Sequence, residues 1–370
     1  MKRIERRSFI RGAAATGAAA AVGAASTFPT PAIAQGVKEL KMVTTWPKNF
    51  PGLGTGAERL AKRITDASDG SLRVKVFAAG ELVPPFESFD AVSTGTADMY
   101  HAADYYWQGK SKAFNFFTTV PFGLTATEMK AWIYFNGGQE LWDELSAQFN
   151  LKPFMAGNTG VQMGGWFAKE INSVEDWKGL KFRMPGLGGE VLRRLGAAAV
   201  ALPGGQIFPA LQSGAIDGTE WVGPWNDLAF GFYKVVKNYY YPGFHEPGAA
   251  LAVALNKKVW DGLSKSQQQL IESACQAEND VTLAEFNAKN GGALEVLVKK
   301  HGVKLHRTPD SVLQAIGKIS GEVVAEVGES DPFAKRVYES FLKSRKMSIG
   351  WSKLSDQAYW NARLLPFKYG

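Results

Sequence analysis

The chain has 370 residues, is 45% hydrophobic, contains one cysteine and carries a formal net charge of +7. This length allows two lobes with separate cores, and a single thiol excludes an internal disulfide, so that stability must come from packing. No run after Gln35 is long and apolar enough to predict a membrane span.

Residues 1–34 have the pattern of an export signal. The twin-arginine pair Arg6-Arg7 precedes an Ala/Gly-rich run, and Ala34 ends a small-x-small cleavage site. A membrane anchor is the disfavoured alternative, because alanine and glycine supply little transfer free energy and two prolines interrupt the run. We therefore expect a periplasmic mature protein. The signal holds five basic residues and one acidic residue, so the mature chain carries only +3, which argues against nucleic-acid binding.

The segment 35–157 is predicted to form a first α/β lobe. Leu40–Thr45 and Ser71–Phe77 have strand patterns and flank a helix whose apolar face carries Leu60 and Ile64, which indicates a β-α-β unit. Further along, the pattern predicts one continuous helix over Thr127–Phe149. Its aromatic residues face mostly one way, which favours a core position for Trp132, Phe135 and Trp142.

The segment 158–255 is predicted to form a second α/β lobe, ending with the apolar strand Ala249–Leu255. It contains an echo of the first: Gly214 and Asp217 follow a helix and precede a strand at the spacing of Gly95 and Asp98. Two lobes built on one plan would produce this echo. Chance similarity of two helix–turn–strand segments is the alternative.

The remaining segment, 256–370, is predicted to be helical and to span the lobes or contact a second copy. A capping box at Ser264 and Gln267 begins a long helix to about His301. Residues 311–365 are amphipathic in pieces, with breaks predicted near Gly328 and Gly350.

The sequence contains no pattern typical of an enzyme active site. Its four histidines are scattered, and HExxH, CxxC and GxSxG motifs are absent. Cys275 has no glycine elbow or neighbouring histidine, and Gly52-Leu53-Gly54 lacks the lysine of a phosphate loop. The sequence therefore favours a binding protein over an enzyme.

Four polar residues interrupt apolar segments and are the candidate ligand-binding residues: Asn158, Gln162, Arg183 and Glu220. Arg183 ends a short strand, where its guanidinium could grip a carboxylate through two parallel hydrogen bonds. The alternatives are a solvent-facing arginine or an internal pair with Glu220. Gln162 and Glu220 also offer hard oxygen donors suited to Na⁺ or Ca²⁺. The neighbouring tryptophan, Trp221, is interpreted equally well as a pocket wall or as core, and the same holds for Trp225.

Two motifs resemble the solute-receptor subunit of tripartite ATP-independent periplasmic (TRAP) transporters. They are Trp-x-Gly-x-x-x-Arg, ending at Arg183, and Ala-Leu-Gln-x-Gly-x-x-Asp-Gly over residues 210–218. The resemblance extends from about Leu40 to the C-terminal helices. Glu220-Trp221-Val222-Gly223-Pro224, Gln162 and the signal are similar to the branch that binds 2-oxo acids or lactate with a metal ion.

This resemblance implies a two-lobed periplasmic-binding-protein-like α/β fold with hinge strands and a long C-terminal helical segment. It implies that Arg183 binds the ligand carboxylate and that Gln162, Glu220 and the Trp221 carbonyl hold Na⁺ or Ca²⁺. Asn158 and Tyr105 are further expected ligand contacts, matched to the family by their neighbouring residues and not by a motif. The chain departs from many relatives at Gln206, where a glutamate is common. The implied partners are the TRAP membrane permease and a second copy bound through a C-terminal helix.

The sequence thus predicts a receptor for a small 2-oxo or 2-hydroxy monocarboxylate, pyruvate-like or lactate, together with a cation. Alternatives are a receptor for another organic anion such as a dicarboxylate, and an exported carboxylate-processing enzyme. The enzyme hypothesis predicts a histidine or cysteine near Arg183 in space. A sugar or osmolyte receptor that stacks its ligand on Trp and Tyr rings is a further alternative.

Overall fold

The computed structural model of the protein describes residues 36–369. The predicted signal peptide lies outside the described residues. Within that range no helix is long and apolar enough to cross a membrane.

The strands in the described range are β1 (Lys38–Thr44), β2 (Leu72–Phe77), β3 (Met99–Ala102), β4 (Leu151–Asn158), β5 (Gly165–Phe167), β6 (Lys181–Arg183), β7 (Ala198–Val200), β8 (Gly218–Thr219), β9 (Asn238–Tyr241), β10 (Ala250–Asn256) and β11 (Lys304–Arg307). The α-helices are α1 (Gly54–Ala67), α2 (Ser88–Thr94), α3 (Phe114–Thr118), α4 (Ala126–Phe135), α5 (Gly138–Ala147), α6 (Gly186–Arg194), α7 (Gly204–Gln212), α8 (Pro224–Phe230), α9 (Lys257–Asp261), α10 (Lys265–Glu295), α11 (Asp310–Gly328), α12 (Pro332–Ser352) and α13 (Asp356–Ala362).

Two mixed sheets form two lobes. Lobe 1 has the strand order β2-β1-β3-β10-β4, and lobe 2 has the order β11-β9-β5-β8-β6-β7. The predicted β-α-β unit is confirmed, because β1 pairs with β2 in parallel and Leu60 and Ile64 of α1 are buried. The two-lobed α/β fold class predicted from the sequence is likewise confirmed.

The lobes are not continuous in sequence, and the predicted boundary at residue 255 is wrong in one respect. The strand Ala249–Leu255 was assigned to lobe 2, yet β10 pairs antiparallel with β3 and β4 in lobe 1. Conversely, β11 lies in the segment predicted to be helical and pairs with β9 of lobe 2. A wholly apolar strand has the same pattern in either sheet, so the sequence could not assign it.

Within residues 36–369 the chain passes from one sheet to the other three times. The first crossing, residues 159–164, joins β4 to β5, and the second, residues 242–249, joins β9 to β10. The third is made by α10, which contacts β4 and α1 of lobe 1 and α8 of lobe 2 before the chain reaches β11. The predicted capping box begins this helix, with Gln267 N–H donating to the Ser264 hydroxyl and Ser264 N–H to the Gln267 side chain.

The helix predicted over Thr127–Phe149 is broken in two. Gly137 has φ +84°, which ends α4 and begins α5. Trp132 and Trp142 are buried as predicted, but Phe135, the last residue of α4, is 88% exposed. A glycine in the left-handed region costs little where another residue would be strained, so the break is explained by Gly137.

The C-terminal helices contact both lobes. Helix α11 packs on α6 of lobe 2 and on α12, and α12 packs on α4 and α5 of lobe 1. The break predicted near Gly328 is confirmed by the end of α11. The second break follows Ser352, the end of α12, instead of Gly350.

The echo between the lobes is a structural repeat. Asp98 accepts a hydrogen bond from the Lys41 amide of β1 at 2.7 Å, and Asp217 accepts one from the Lys181 amide of β6 at 2.9 Å. Each aspartate also donates its own N–H to the carbonyl of the same lysine. The strand that follows each aspartate pairs in parallel with the strand that the lysine begins or continues. Both lobes therefore align a parallel strand pair by one device.

Candidate ligand and cation site

A small cavity of about 20 Å³ lies where the two lobes and the first two crossings meet. A cavity needs about 10–15 Å³ of such space to hold one water molecule, so the lobes enclose the site tightly in this arrangement. Its walls come from lobe 1, from both crossings and from lobe 2. The lining residues are Trp46, Leu53, Ala103, Tyr105, Tyr106, Thr159, Gln162, Trp221, Val222, Glu246, Ala249 and Leu251.

Gln162 and Glu246 connect the two crossings at the cavity wall. The Gln162 amide nitrogen donates to Glu246 Oε2 at 2.7 Å and to the Thr159 hydroxyl at 3.0 Å. The backbone N–H of Gln162 donates to the Glu246 carbonyl at 3.1 Å. These bonds orient the Gln162 side chain, and its carbonyl oxygen Oε1 is buried without a hydrogen-bond partner in the described structure.

Arg183 and Glu220 form a buried ion pair on the lobe 2 side. Both side chains are 1% exposed, and Arg183 Nη1 donates to Glu220 Oε1 and to the Glu220 carbonyl. The guanidinium lies over the Trp221 ring, with its carbon 5.1 Å from the ring centroid. Nε donates to the Leu202 carbonyl, whereas Nη2 is buried and has no partner among the described residues. The internal pair with Glu220, one of the alternatives left open by the sequence, is therefore present. It leaves the Nη2 end of the guanidinium without a partner among the described residues.

Electrostatics in the site are dominated by two buried carboxylates and one guanidinium. Burial, followed by the charge of Glu220, raises the pKa of Glu246 well above its usual range, and Arg183, Tyr105 and Gln162 only partly offset this. Burial alone would lower the pKa of Arg183, but the charges of Glu220, Tyr106, Tyr105 and Glu246 together outweigh it and raise that pKa above the ordinary value. Glu220 and Glu246 together leave the site one negative charge in excess whenever both are ionised.

The donor set suits a cation. Glu220, His245 and Glu246 place one ligand atom each within 4.8 Å of one another, and all three are buried. His245 Nε2 lies 3.2 Å from Glu220 Oε2. The unpaired Oε1 of Gln162 adds a neutral oxygen at the same wall. Carboxylate and amide oxygens are the ligands that Na⁺ and Ca²⁺ prefer, so the residues present fit the predicted cation.

The structure brings most of the predicted residues together. Tyr105, Gln162 and Trp221 line the cavity, and Arg183 and Glu220 lie directly behind Trp221. Asn158 is buried nearby, but its side chain donates to the Gly248 carbonyl and accepts from the Gly160 amide. Both of its polar groups thus shape the start of the first crossing.

The structure also places Trp225 and Gln206, two residues that the sequence analysis noted beside the candidate site. Trp225 is half-buried and packs against Phe286 of α10, with ring centroids 5.5 Å apart, and it lies outside the lining of the cavity. Gln206, where the chain departs from many relatives, is exposed in the first turn of α7.

Sequence reasoning missed His245 and Glu246. They lie in the second crossing between Gly243 and Pro247, where glycine and proline made the stretch read as a plain turn. A charged pair between two such breaks, beside an apolar strand, was the signal available. Its partner in space, Gln162, is 84 positions away, so no local pattern could join them.

Two α/β lobes that close a polar-edged cavity at their crossings define a two-lobed ligand-binding protein. The chain belongs to the bacterial extracellular solute-binding proteins of family 7, whose family model matches residues 42–331.

The chain is similar to several relatives over nearly its whole length. A monocarboxylate 2-oxoacid-binding periplasmic protein of a Nostoc strain is 42% identical over 360 residues, covering 97% of this chain and 98% of the relative. A TRAP solute-binding protein of Pseudoalteromonas atlantica, solved with sodium and pyruvate, is 39% identical with a TM-score of 0.85 and covers 88% of this chain and 98% of its own. One from Bordetella bronchiseptica, solved as a dimer with calcium and picolinate in one site, is 37% identical with a TM-score of 0.87 and covers 89% of this chain and 97% of its own.

Proposed function

We propose that the protein is a periplasmic receptor of a TRAP transporter that binds a small 2-oxo or 2-hydroxy monocarboxylate together with Na⁺ or Ca²⁺. The observation that carries the proposal is a pair of complementary unpaired atoms. Arg183 Nη2 is a buried donor and Gln162 Oε1 a buried acceptor, neither with a hydrogen-bond partner in the described structure. A buried polar group without a partner costs free energy, and an anion with a cation satisfies both atoms.

Charge explains why the ligand and the cation belong together. An anionic ligand alone would add a third negative charge beside Glu220 and Glu246, with only Arg183 to offset them. A bound cation would supply positive charge between the ligand and Glu220. Gln162 Oε1, the Glu220 carboxylate and the Trp221 carbonyl would hold it, and Glu246 is a further oxygen donor at the same wall.

Residues of this chain would hold the ligand in a dry cavity. Arg183 Nη2 would donate to its carboxylate, and Tyr105 faces the cavity from lobe 1. Leu53, Ala103 and Val222 exclude water, which strengthens each charged contact. Closure follows because only the closed arrangement brings residues of both lobes to the ligand. The small apolar cavity favours a monocarboxylate over a dicarboxylate, because a second carboxylate would be buried without a matching cation.

A thermal-shift panel tests the proposal directly. We expect pyruvate with calcium or sodium chloride to raise the melting temperature, because a ligand at about 100 times its Kd stabilises the folded state by roughly 2.7 kcal/mol. Pyruvate with a chelator in sodium-free buffer should give a much smaller shift. Succinate and glucose are the matched controls. A larger shift with succinate than with pyruvate or lactate would contradict the monocarboxylate assignment.

One observation favours the enzyme alternative. That hypothesis predicts a histidine near Arg183, and His245 is 3.2 Å from the carboxylate that pairs with Arg183. The family to which the chain belongs consists of solute-binding proteins, which supports the receptor. Ligand recovered chemically unchanged after long incubation and denaturation would exclude turnover, whereas a converted product would overturn the receptor proposal.

We also propose that two copies associate through the C-terminal segment. After the middle of α12 the chain exposes many large apolar side chains to solvent. These are Met347, Trp351, Leu354, Tyr359, Trp360, Leu364, Leu365 and Phe367. Exposed apolar surface on this scale marks interaction sites, and the dimeric Bordetella relative supports the association of two copies. The TRAP permease is the second proposed partner.

Charge placed in this segment should separate the copies. We expect Leu364→Glu with Phe367→Glu to shift the protein to the monomer mass in light scattering coupled to gel filtration, because two charges would be buried in an apolar interface. Leu82→Glu, which alters an exposed apolar residue of lobe 1, is the control and should leave the mass unchanged. A wild-type protein that is monomeric at all concentrations would contradict the dimer.

A further inference from the structure

Lobe 2 holds a buried carboxylate directly behind the cavity wall. Asp227 of α8 is 1% exposed, and its Oδ2 accepts hydrogen bonds from Trp166 Nε1 at 2.9 Å and from the Tyr239 hydroxyl at 2.7 Å. Trp166 and Tyr239 are register partners on β5 and β9, and their rings stack with centroids 4.0 Å apart. We name Asp227, Trp166 and Tyr239 the lobe 2 carboxylate cluster.

The lobe 2 carboxylate cluster is connected to both segments proposed to hold the cation. The second oxygen of Asp227 accepts the backbone N–H of Val222 at 3.3 Å, next to Trp221. The Val222 carbonyl accepts the N–H of Met163 at 3.0 Å, next to Gln162. A single chain of hydrogen bonds therefore runs from Asp227 to the backbone on either side of the cation site.

Lobe 1 contains a matching group behind the opposite wall. Asp104 is fully buried, its Oδ1 accepts from the Tyr100 hydroxyl at 2.9 Å and its Oδ2 from Trp142 Nε1 at 2.8 Å. Asp104 directly precedes Tyr105, which lines the cavity. We name Asp104, Tyr100 and Trp142 the lobe 1 carboxylate cluster. Its hydrogen bonds lie behind the lobe 1 wall of the cavity, and among the described residues none of them reaches the backbone beside Gln162 or Trp221.

Both carboxylates are costly for folding. Burial raises the pKa of Asp227 to about 7 and that of Asp104 to about 6. Replacing a buried charged group by apolar residues of similar volume is often neutral or stabilising, so packing alone does not explain a tyrosine, a tryptophan and an aspartate behind each wall. A carboxylate accepts several hydrogen bonds in fixed directions, which suits a group that fixes the position of a wall.

We propose that Asp227 and Asp104 are positioning residues with separate tasks: Asp227 fixes the backbone that holds the cation, and Asp104 fixes the lobe 1 wall that contacts the organic ligand. The inference rests on the proposed function, because it assigns each cluster to one half of that site. Removing Asp227 should weaken the cooperation between cation and ligand, whereas removing Asp104 should weaken ligand binding alone.

The test measures pyruvate affinity by calorimetry, with saturating calcium chloride and with a chelator in sodium-free buffer. The quantity compared is the Kd with chelator divided by the Kd with calcium. In Asp227→Asn this ratio should fall about tenfold or more, within the 10–100-fold range typical of groups that orient metal ligands. In Asp104→Asn both dissociation constants should rise by one common factor, leaving the ratio unchanged. Asp176→Asn in lobe 2 and Asp98→Asn in lobe 1 remove aspartates that bond backbone amides away from the cavity, and both should leave the ratio unchanged.

A milder pair keeps the test valid if an asparagine variant does not fold. Tyr239→Phe and Tyr100→Phe each remove one hydrogen bond to the carboxylate and retain its charge. Tyr239→Phe should lower the ratio of the two dissociation constants, and Tyr100→Phe should raise both constants together, each by a smaller factor than the asparagine variant. Equal weakening with and without calcium in Tyr239→Phe would overturn the assignment of Asp227. A reduced calcium ratio in Tyr100→Phe would overturn that of Asp104.

Amide hydrogen exchange separates this inference from the proposed function, since it needs no ligand. Loss of the Asp227 carboxylate should speed exchange at Val222 and Met163, and loss of the Asp104 carboxylate should not. A wild-type protein that ignores pyruvate and cations would reject the proposed function, while the exchange data would still decide the positioning role. Unchanged exchange at Val222 in both lobe 2 variants would overturn that role.

Discussion

Arg183→Ala should weaken pyruvate binding by about two to four orders of magnitude, roughly 3–5 kcal/mol, as for a broken buried ion pair. The variant loses the guanidinium that lies beside the Trp221 ring and leaves a ligand carboxylate without its donor in a dry cavity. It also leaves Glu220 without its buried partner, so the free energy of unfolding of the ligand-free protein should fall. Calorimetry measures the first effect and urea denaturation the second.

Two further variants isolate the role of the Arg183 fork. Arg183→Lys keeps one positive charge but offers no planar pair of donors, so it should restore folding stability better than ligand affinity. Arg194→Ala removes an exposed arginine of α6 that pairs with Glu326, and it should change neither quantity appreciably. Near-native affinity in Arg183→Ala would disprove the carboxylate assignment.

Glu220→Gln should abolish the dependence of ligand binding on the cation. The substitution removes one of the two buried carboxylates and leaves Glu246 as the remaining acidic oxygen donor at that wall. We expect the affinity at saturating calcium to fall about 100-fold, since a buried charge pair is broken at the same time, while the affinity measured with chelator changes less. Titrations with and without calcium give both values.

The control for this variant is Glu190→Gln, which alters an exposed glutamate of α6 that pairs with Arg193. It should leave the calcium dependence intact. If Glu220→Gln retained the full calcium dependence, the cation would have to be held elsewhere, and the proposed site would be wrong on that side of the ligand.

The candidate site residues stand out in the sequence because each is a polar residue in apolar or glycine-rich surroundings. Arg183, Gln162 and Glu220 are polar groups in apolar or glycine-rich segments, and such groups must find partners when buried. The sequence did not decide whether Arg183 would pair with Glu220 or with a ligand. In the structure Arg183 pairs with Glu220 through Nη1, and its Nη2 has no partner among the described residues. A sequence pattern cannot show which nitrogen takes which partner.

Other features depended on contacts between distant residues. Asp104 and Asp227 look like ordinary turn aspartates in sequence, because the tyrosine and tryptophan that bond each one come from other elements. The division of the predicted helix into α4 and α5 depends on one dihedral angle at Gly137. Strand periodicity predicted β10 correctly as a buried strand but carried no information about which sheet it completes.

The placement of β10 has a consequence for the way the chain reaches its native state. Lobe 1 lacks the strand between β3 and β4 until residues 250–256 have been synthesised, after all of lobe 2 except β11. Before that point β3 and β4 present unpaired edges, which are prone to pair with other chains, and contacts so far apart in sequence slow folding. Neither lobe is therefore an independent folding unit. The receptor forms as a whole, and its ligand cavity is completed at the same step as its first sheet.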